Sequence, residues 1–202
     1  ILRYMIVLSY IHRVVFSCRY FYWCRFIWRI FIRKEWRVTM ERVIDVARYI
    51  CDEYQKMSGE AIDEMKLHKL LYFSQRESFA VTGKPLFADE FEGWRYGPVC
   101  VAVRKSFCQG EIISKEIEKI SDEAVYIVSN VIAQYGELAS WKLSKLSHDE
   151  ISWKNARKGL SVCENGDNKL SLEDIEEDAK KVRPYDHIWD MYLDEFEDYE
   201  DL

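Results

Sequence analysis

After Met40 the apolar residues recur at three- and four-residue spacing, and each run is cut by a glycine or a proline. This punctuation limits what the chain can fold into. Val43, Val46, Ala47, Ile50 and Tyr54 share one face of a helix expected over residues 41–57, which Ser58-Gly59 ends. Asp63 is placed to cap a second helix whose inner face is Leu67, Leu70, Leu71, Ser74 and Ser78. Gly83 and Pro85 stop that helix, the first because it tolerates a left-handed terminus, the second because it cannot continue one.

Residues 87–97 read differently. Phe91, Gly93 and Arg95 alternate with Glu92, Trp94 and Tyr96, the period of a short extended segment or hairpin arm. Pro98 suits the first position of a third helix running to Cys108. Residues 111–120 read as a connector, with a short extended piece at 111–114. Ser121 opens a helix that buries Val125, Val128, Val131, Ile132 and Tyr135 and stops at Gly136. A helix over 137–146 turns Leu138, Trp141, Leu143 and Leu146 inward, and Trp153 is also placed in the core. Ser147 and Glu150 have capping-box spacing for a short helix through Trp153 to Lys158. Asn165-Gly166-Asp167 is a turn, and Ser171-x-x-Asp174 caps a helix over 172–182. The expected fold is mainly α: one compact helical domain over residues 40–182, with a small β-hairpin or extended element near 87–97.

Charge divides the chain. Residues 1–39 carry eight Lys and Arg against one acid, whereas the other residues carry 21 against 34. An acidic body gains nothing from counterion release on a phosphate backbone, so nucleic acid is not an expected partner. The leader is rich in aromatics and interrupted by arginines, and its longest charge-free run, Tyr4 to His12, is nine residues. That is well short of the roughly 20 apolar residues a membrane span needs. The expectation is that Met40 is the true start and residues 1–39 are translated upstream sequence. A membrane role would require the leader to be a genuine interfacial helix.

Nothing in the sequence asks for a cofactor or a metal, and no catalytic residue is assigned. The six cysteines form no C-x-x-C pair, which suits reduced thiols in the cytoplasm. The four histidines, His12, His68, His148 and His187, are far apart in sequence, and Cys163 has no neighbouring base. A Cys163–His pair assembled by folding would make a hydrolase; the ordinary reading is a small buried thiol.

Five motifs occur in order across residues 43–158. They are Lys66-Leu67-His68-Lys69-Leu70-Leu71-Tyr72-Phe73-Ser74-Gln75, then Thr82-Gly83-Lys84-Pro85-Leu86-Phe87, then Phe91-Glu92-Gly93-Trp94-Arg95-Tyr96-Gly97-Pro98-Val99, then Tyr135-Gly136, and last Ser147-His148-Asp149-Glu150-Ile151-Ser152-Trp153. Together they resemble the Panacea domain of SocA-like antitoxins, a family that also includes phage-associated proteins. Four positions depart from the family's usual residue: His68 stands for Gln, Gly93 for Ala, Ser147 for Thr and Ser152 for Pro. The resemblance implies an antitoxin that neutralises a cognate toxin, encoded nearby, by direct protein–protein binding. An adaptor that delivers a partner to a AAA+ protease is the alternative within the binding class.

For partner binding the candidates are Lys66, Lys69, Trp94, Tyr96, Trp189 and Phe196. Lys66 and Lys69 lie on one helical face, where they can meet an acidic group, cap carbonyls, or simply face solvent. Trp94 and Tyr96 form an aromatic platform or pin the extended segment to the core. The tail, residues 183–202, has eight acids and no Lys or Arg from Asp186 onward, and its apolar stripe includes Trp189 and Phe196. It reads as an acidic amphipathic helix, either packed on its own domain or laid into a groove of a basic toxin. Structural roles fall to Leu70, Tyr72, Gly83, Gly97, Pro98, Gly136, His148 and Trp153. His148 is expected to cap or orient a turn.

Overall fold

The first apolar run becomes α1 (Val43–Ser58), which buries Val43, Val46, Ala47, Ile50 and Tyr54 and ends at Gly59 with φ 75°. In the computed structural model, residues 40–114, 119–161 and 163–182 are described; the leader and the acidic tail, with Trp189 and Phe196, lie outside them. Asp63 caps α2 (Glu64–Thr82) by accepting from the Lys66 amide, and Gly83 closes the helix with φ 69°.

Helix α2 is the axis of the domain. Nearly every side chain from Lys66 to Phe79 is buried, including Ser74 and Ser78. Its polar side chains therefore need internal partners. Gln75 donates to the Phe87 carbonyl (3.0 Å) and accepts from the amides of Leu86 (3.0 Å) and Phe87 (3.2 Å). This clamp brings Phe87 into the core beside Phe91, whose ring meets Tyr72 edge-on at 5.7 Å.

The expected extended element is an antiparallel hairpin, β1 (Glu92–Trp94) and β2 (Gly97–Val99), with Gly93 opposite Pro98 and an Arg95-Tyr96 turn. Pro98 thus lies in a strand and does not open a helix. The next helix, α3 (Val101–Cys108), begins after Cys100. Strand pairing has claimed residues 97–99, where proline is tolerated because the pair is short and at an edge.

Residues 111–114 are a helical turn, α4 (Glu111–Ser114), where an extended piece was expected. Helix α5 (Asp122–Tyr135) is capped by Ser121 and buries Val128, Val131 and Ile132, with Val125 and Tyr135 packed at the edge of the core. Helix α6 starts three residues later than its periodicity suggests, at Ser140–Asp149. In that register Leu143 is buried, but Trp141 is 64% exposed and Leu146 is also outward, contrary to expectation. Ser147 lies inside α6 and donates to the Ser144 carbonyl, so it is not the cap of α7 (Ile151–Ala156). Helix α8 (Leu172–Ala179) is capped by Ser171 as expected and ends earlier than residue 182. Helices α1, α5, α6 and α8 and the hairpin surround α2. Among the described residues no helix is long and apolar enough to cross a membrane.

Candidate partner-binding cleft

The N-terminal half of α2 meets the hairpin, and the meeting is set by glycines. Gly97 has φ 105°, and a methyl group there would lie 2.5 Å from Ser147 Oγ and 2.6 Å from Lys69 Cε. A side chain at 97 would therefore push the hairpin off α2 and α6. Gly93 approaches α7 as closely: a methyl on it would fall 2.9 Å from Ala156 Cβ. The glycine that replaces the family's alanine at this position suits that contact.

Between α2, the hairpin and α3 lies a cleft of about 250 Å³, lined by Glu64, Met65, His68, Lys69, Trp94, Tyr96, Val99, Arg104 and Asn165. The Trp94 indole donates to Glu92 (2.8 Å), and its other face carries the Arg104 guanidinium at 4.9 Å. Arg104 also pairs with Glu64 at 2.6 Å. Tyr96, at the hairpin turn, is 55% exposed, and its carbonyl accepts from Ser144. The Trp94 carbonyl accepts from the Trp153 indole, and Trp153 in turn stacks on His148 at 4.0 Å. His148 orients this aromatic corner; burial, with help from Lys69 and Arg157, lowers its pKa. Trp153, expected in the core, is only half-buried.

Lys69 is 1% exposed. Its ammonium donates to the Pro98 carbonyl at 2.8 Å, and burial lowers its pKa to about 7. His68 beside it is 2% exposed; burial and then the charges of Lys69 and Arg104 push its pKa down to about 3. Neither ring nitrogen makes a hydrogen bond, and Glu64 is 3.7 Å away.

Three of the described candidates, Lys69, Trp94 and Tyr96, thus converge on the cleft. Lys66 does not. It is buried on the opposite course, donating to the Tyr54 hydroxyl (2.9 Å) and the Gly136 carbonyl (3.0 Å). Neither lysine rides an exposed face; each caps a carbonyl. Gly136 itself is closely packed: a methyl group there would meet Ile132 O at 2.5 Å and Met57 Cε at 2.7 Å. Arg104 carries no signal in the sequence; it comes from α3 to lie over the Trp94 ring only in the folded chain.

A second buried constellation binds α2 to the C-terminal helices. Arg76 pairs with Glu77 (2.9 Å) and Glu150, donates to the Tyr135 hydroxyl, and lies 4.8 Å over the Phe73 ring. The carboxyls of Glu150 and Asp178 are in hydrogen-bonding contact. Burial raises Glu150 to about 7; Arg76 opposes this and Asp178 adds to it. Burial works in the same direction on Asp178, but the amides of Ser152 and Ile151 outweigh it and hold that carboxyl below its usual value. Tyr72 contacts Ser152 Oγ at 2.8 Å. This cluster is enclosed by protein and joins helices. Cys163 is exposed, and the described contacts of His68 and His148 do not involve it. Among the described residues no group of His, Cys, Asp and Glu is placed to hold a metal.

Fold and cleft together describe a mainly helical domain with an aromatic-walled recess. Residues 67–154 match the family described as "Antitoxin SocA-like, Panacea domain", the family that the five motifs resemble. The matched stretch contains most of α2, the hairpin, α3 to α6 and the start of α7, so it spans all the cleft residues except Glu64, Met65 and Asn165. Comparison with curated proteins and with solved structures finds no match.

Proposed function

We propose that the chain is an antitoxin that neutralises a cognate toxin, encoded nearby, by binding it directly in the cytoplasm. The observation that carries this reading is that the antitoxin-family match falls on the elements that build the cleft. An antitoxin of this kind works by occlusion and needs no chemistry of its own. Durable neutralisation asks for nanomolar affinity, about −12 kcal/mol. Such affinity is concentrated in a few aromatic anchors seated in pockets. Trp94 and Tyr96 supply anchors or walls, while exposed charges steer encounter.

The test is co-expression with each neighbouring gene. Rescue of growth from a toxic neighbour, and a complex isolable from the same cells, support the reading. If neither neighbour is toxic alone, the reading fails for this locus. Trp94→Ala and Tyr96→Ala should weaken rescue.

A further inference from the structure

We infer that a proton held between Glu150 and Asp178 latches α8 onto the rest of the domain, and that its loss lets α8 open by itself. The latch stands independently of the antitoxin reading.

Helix α8 depends on a latch because its apolar anchorage is small. Of its eight residues, Ile175, Asp178 and Ala179 are buried, while Glu173, Glu176 and Glu177 face solvent. Where α8 meets the end of α2, a recess of about 320 Å³ lined by Phe79, Ala80, Glu176, Ala179, Lys180 and Val182 leaves the seam incompletely filled. Elements with few buried apolar contacts are the ones that open locally.

The main fastening is polar. Asp178 is fully buried and accepts from the Ile151 amide (2.7 Å), the Ser152 amide (2.9 Å) and the Tyr72 hydroxyl (3.4 Å). These donors surround it as they would an ionised carboxylate. Glu150, the residue before α7, brings its own carboxyl into hydrogen-bonding contact with Asp178. Two carboxyl groups make such a contact only with a proton between them. Asp178 is the acceptor, so Glu150 is the donor.

The other charged and titratable groups at the pair come from each element packed on it. They are Tyr72, Arg76 and Glu77 of α2, Tyr135 of α5, and Lys181 just after α8. Arg76 is divided between Glu150 and Glu77, and Lys181 reaches Asp178 at 3.1 Å from a half-exposed position. Once Glu150 ionises, two like charges face each other across the joint between α7 and α8. Glu150 titrates at about 7 with α8 closed and near its ordinary 4.5 with α8 open. The open population should therefore rise about tenfold between pH 6 and pH 8.

Hydrogen exchange of the full chain tests this, read by NMR and expressed as protection factors, which removes the intrinsic pH dependence of exchange. Amides of residues 175–179 should be protected at least about tenfold less than those at the centre of α2, at both pH values. Their protection should fall about a further tenfold from pH 6 to pH 8. Glu150→Gln cannot ionise and should flatten that profile. Should this variant fail to fold, the wild-type chain still decides: α8 protection should level off at the pH where the Glu150 carboxyl carbon resonance reaches its titration midpoint. Protection of α8 equal to that of α2, a flat wild-type profile, the same fall in Glu150→Gln, or a carboxyl midpoint away from the break each overturn the inference.

Discussion

Asp178 on α8 accepts hydrogen bonds from the backbone amides of Ser152 (2.9 Å) and Ile151 (2.7 Å), so a side chain 26 residues away caps α7. The cap depends on residue 152 having an amide proton. Proline, the family's usual residue there, has none; Ser152 supplies one and adds its hydroxyl to Tyr72. Asp178→Ala should lower stability by about 2 kcal/mol, combining a lost cap with amides left unpaired. Asp178→Asn keeps an accepting oxygen and should lose less. Urea unfolding followed by circular dichroism measures both.

Gly93→Ala should destabilise the chain by about 1–3 kcal/mol, because its methyl group would press on Ala156 Cβ. The companion change Ala156→Gly removes that contact. In a double-mutant cycle the pair should cost clearly less than the sum of the single changes. Additive costs would show that the strand and α7 do not touch as described.

Glu150 titrates at about 7 in the folded chain against an ordinary 4.5. Between those values the folded state holds a proton that the unfolded state has released. The stability this group contributes is full below pH 4.5, declines as pH rises, and is gone above about pH 7. Glu150→Gln cannot titrate. Its stability relative to the wild type should therefore rise from pH 5 to pH 8, whatever constant offset the lost Arg76 pair adds. Unfolding at pH 5, 6.5 and 8 checks the sign of the slope.

His68 has the opposite sense. Its folded pKa, about 3, lies below the ordinary 6.5, so the unfolded chain takes up a proton first as pH falls. The contribution of this group is present above pH 6.5 and is lost as pH falls toward 3. His68→Gln should gain stability over the wild type at pH 5 by more than at pH 7.5. Thermal unfolding at the two pH values decides it.

Tyr96→Ala and Trp141→Ala remove exposed rings and should each change stability by less than about 0.5 kcal/mol. Tyr96 borders the cleft and Trp141 is not among its lining residues. If the chain is the antitoxin proposed above, Tyr96→Ala should therefore weaken toxin binding by about 2 kcal/mol, near thirtyfold, and Trp141→Ala by much less. Calorimetry on the purified complex distinguishes them.

Much of the architecture was legible because it is local. The caps at Asp63, Ser121 and Ser171 and the stops at Gly59 and Gly83 follow from backbone groups within a few residues. Local signals fail where a second element competes. Pro98 went to the hairpin because Glu92–Trp94 was there to pair with it, and Ser147 was absorbed by α6 because Asp178 had already satisfied the start of α7. Trp141 misled because an apolar residue near a helix start reads as inward until the register is fixed, and Leu143 fixed it.

The sequence alone determined the caps at Asp63, Ser121 and Ser171, the stops at Gly59 and Gly83, the extended element near 87–97, and which motifs resemble an antitoxin family, since these rest on short-range periodicity and cap chemistry. Only the tertiary structure decided that Lys66 and Lys69 are buried, that Arg104 meets Trp94, and that Lys69, Trp94 and Tyr96 share one cleft. Burial and counter-charge belong to pairs of elements distant along the chain, and a lysine on a helix reads the same in isolation whether it faces water or the underside of a hairpin.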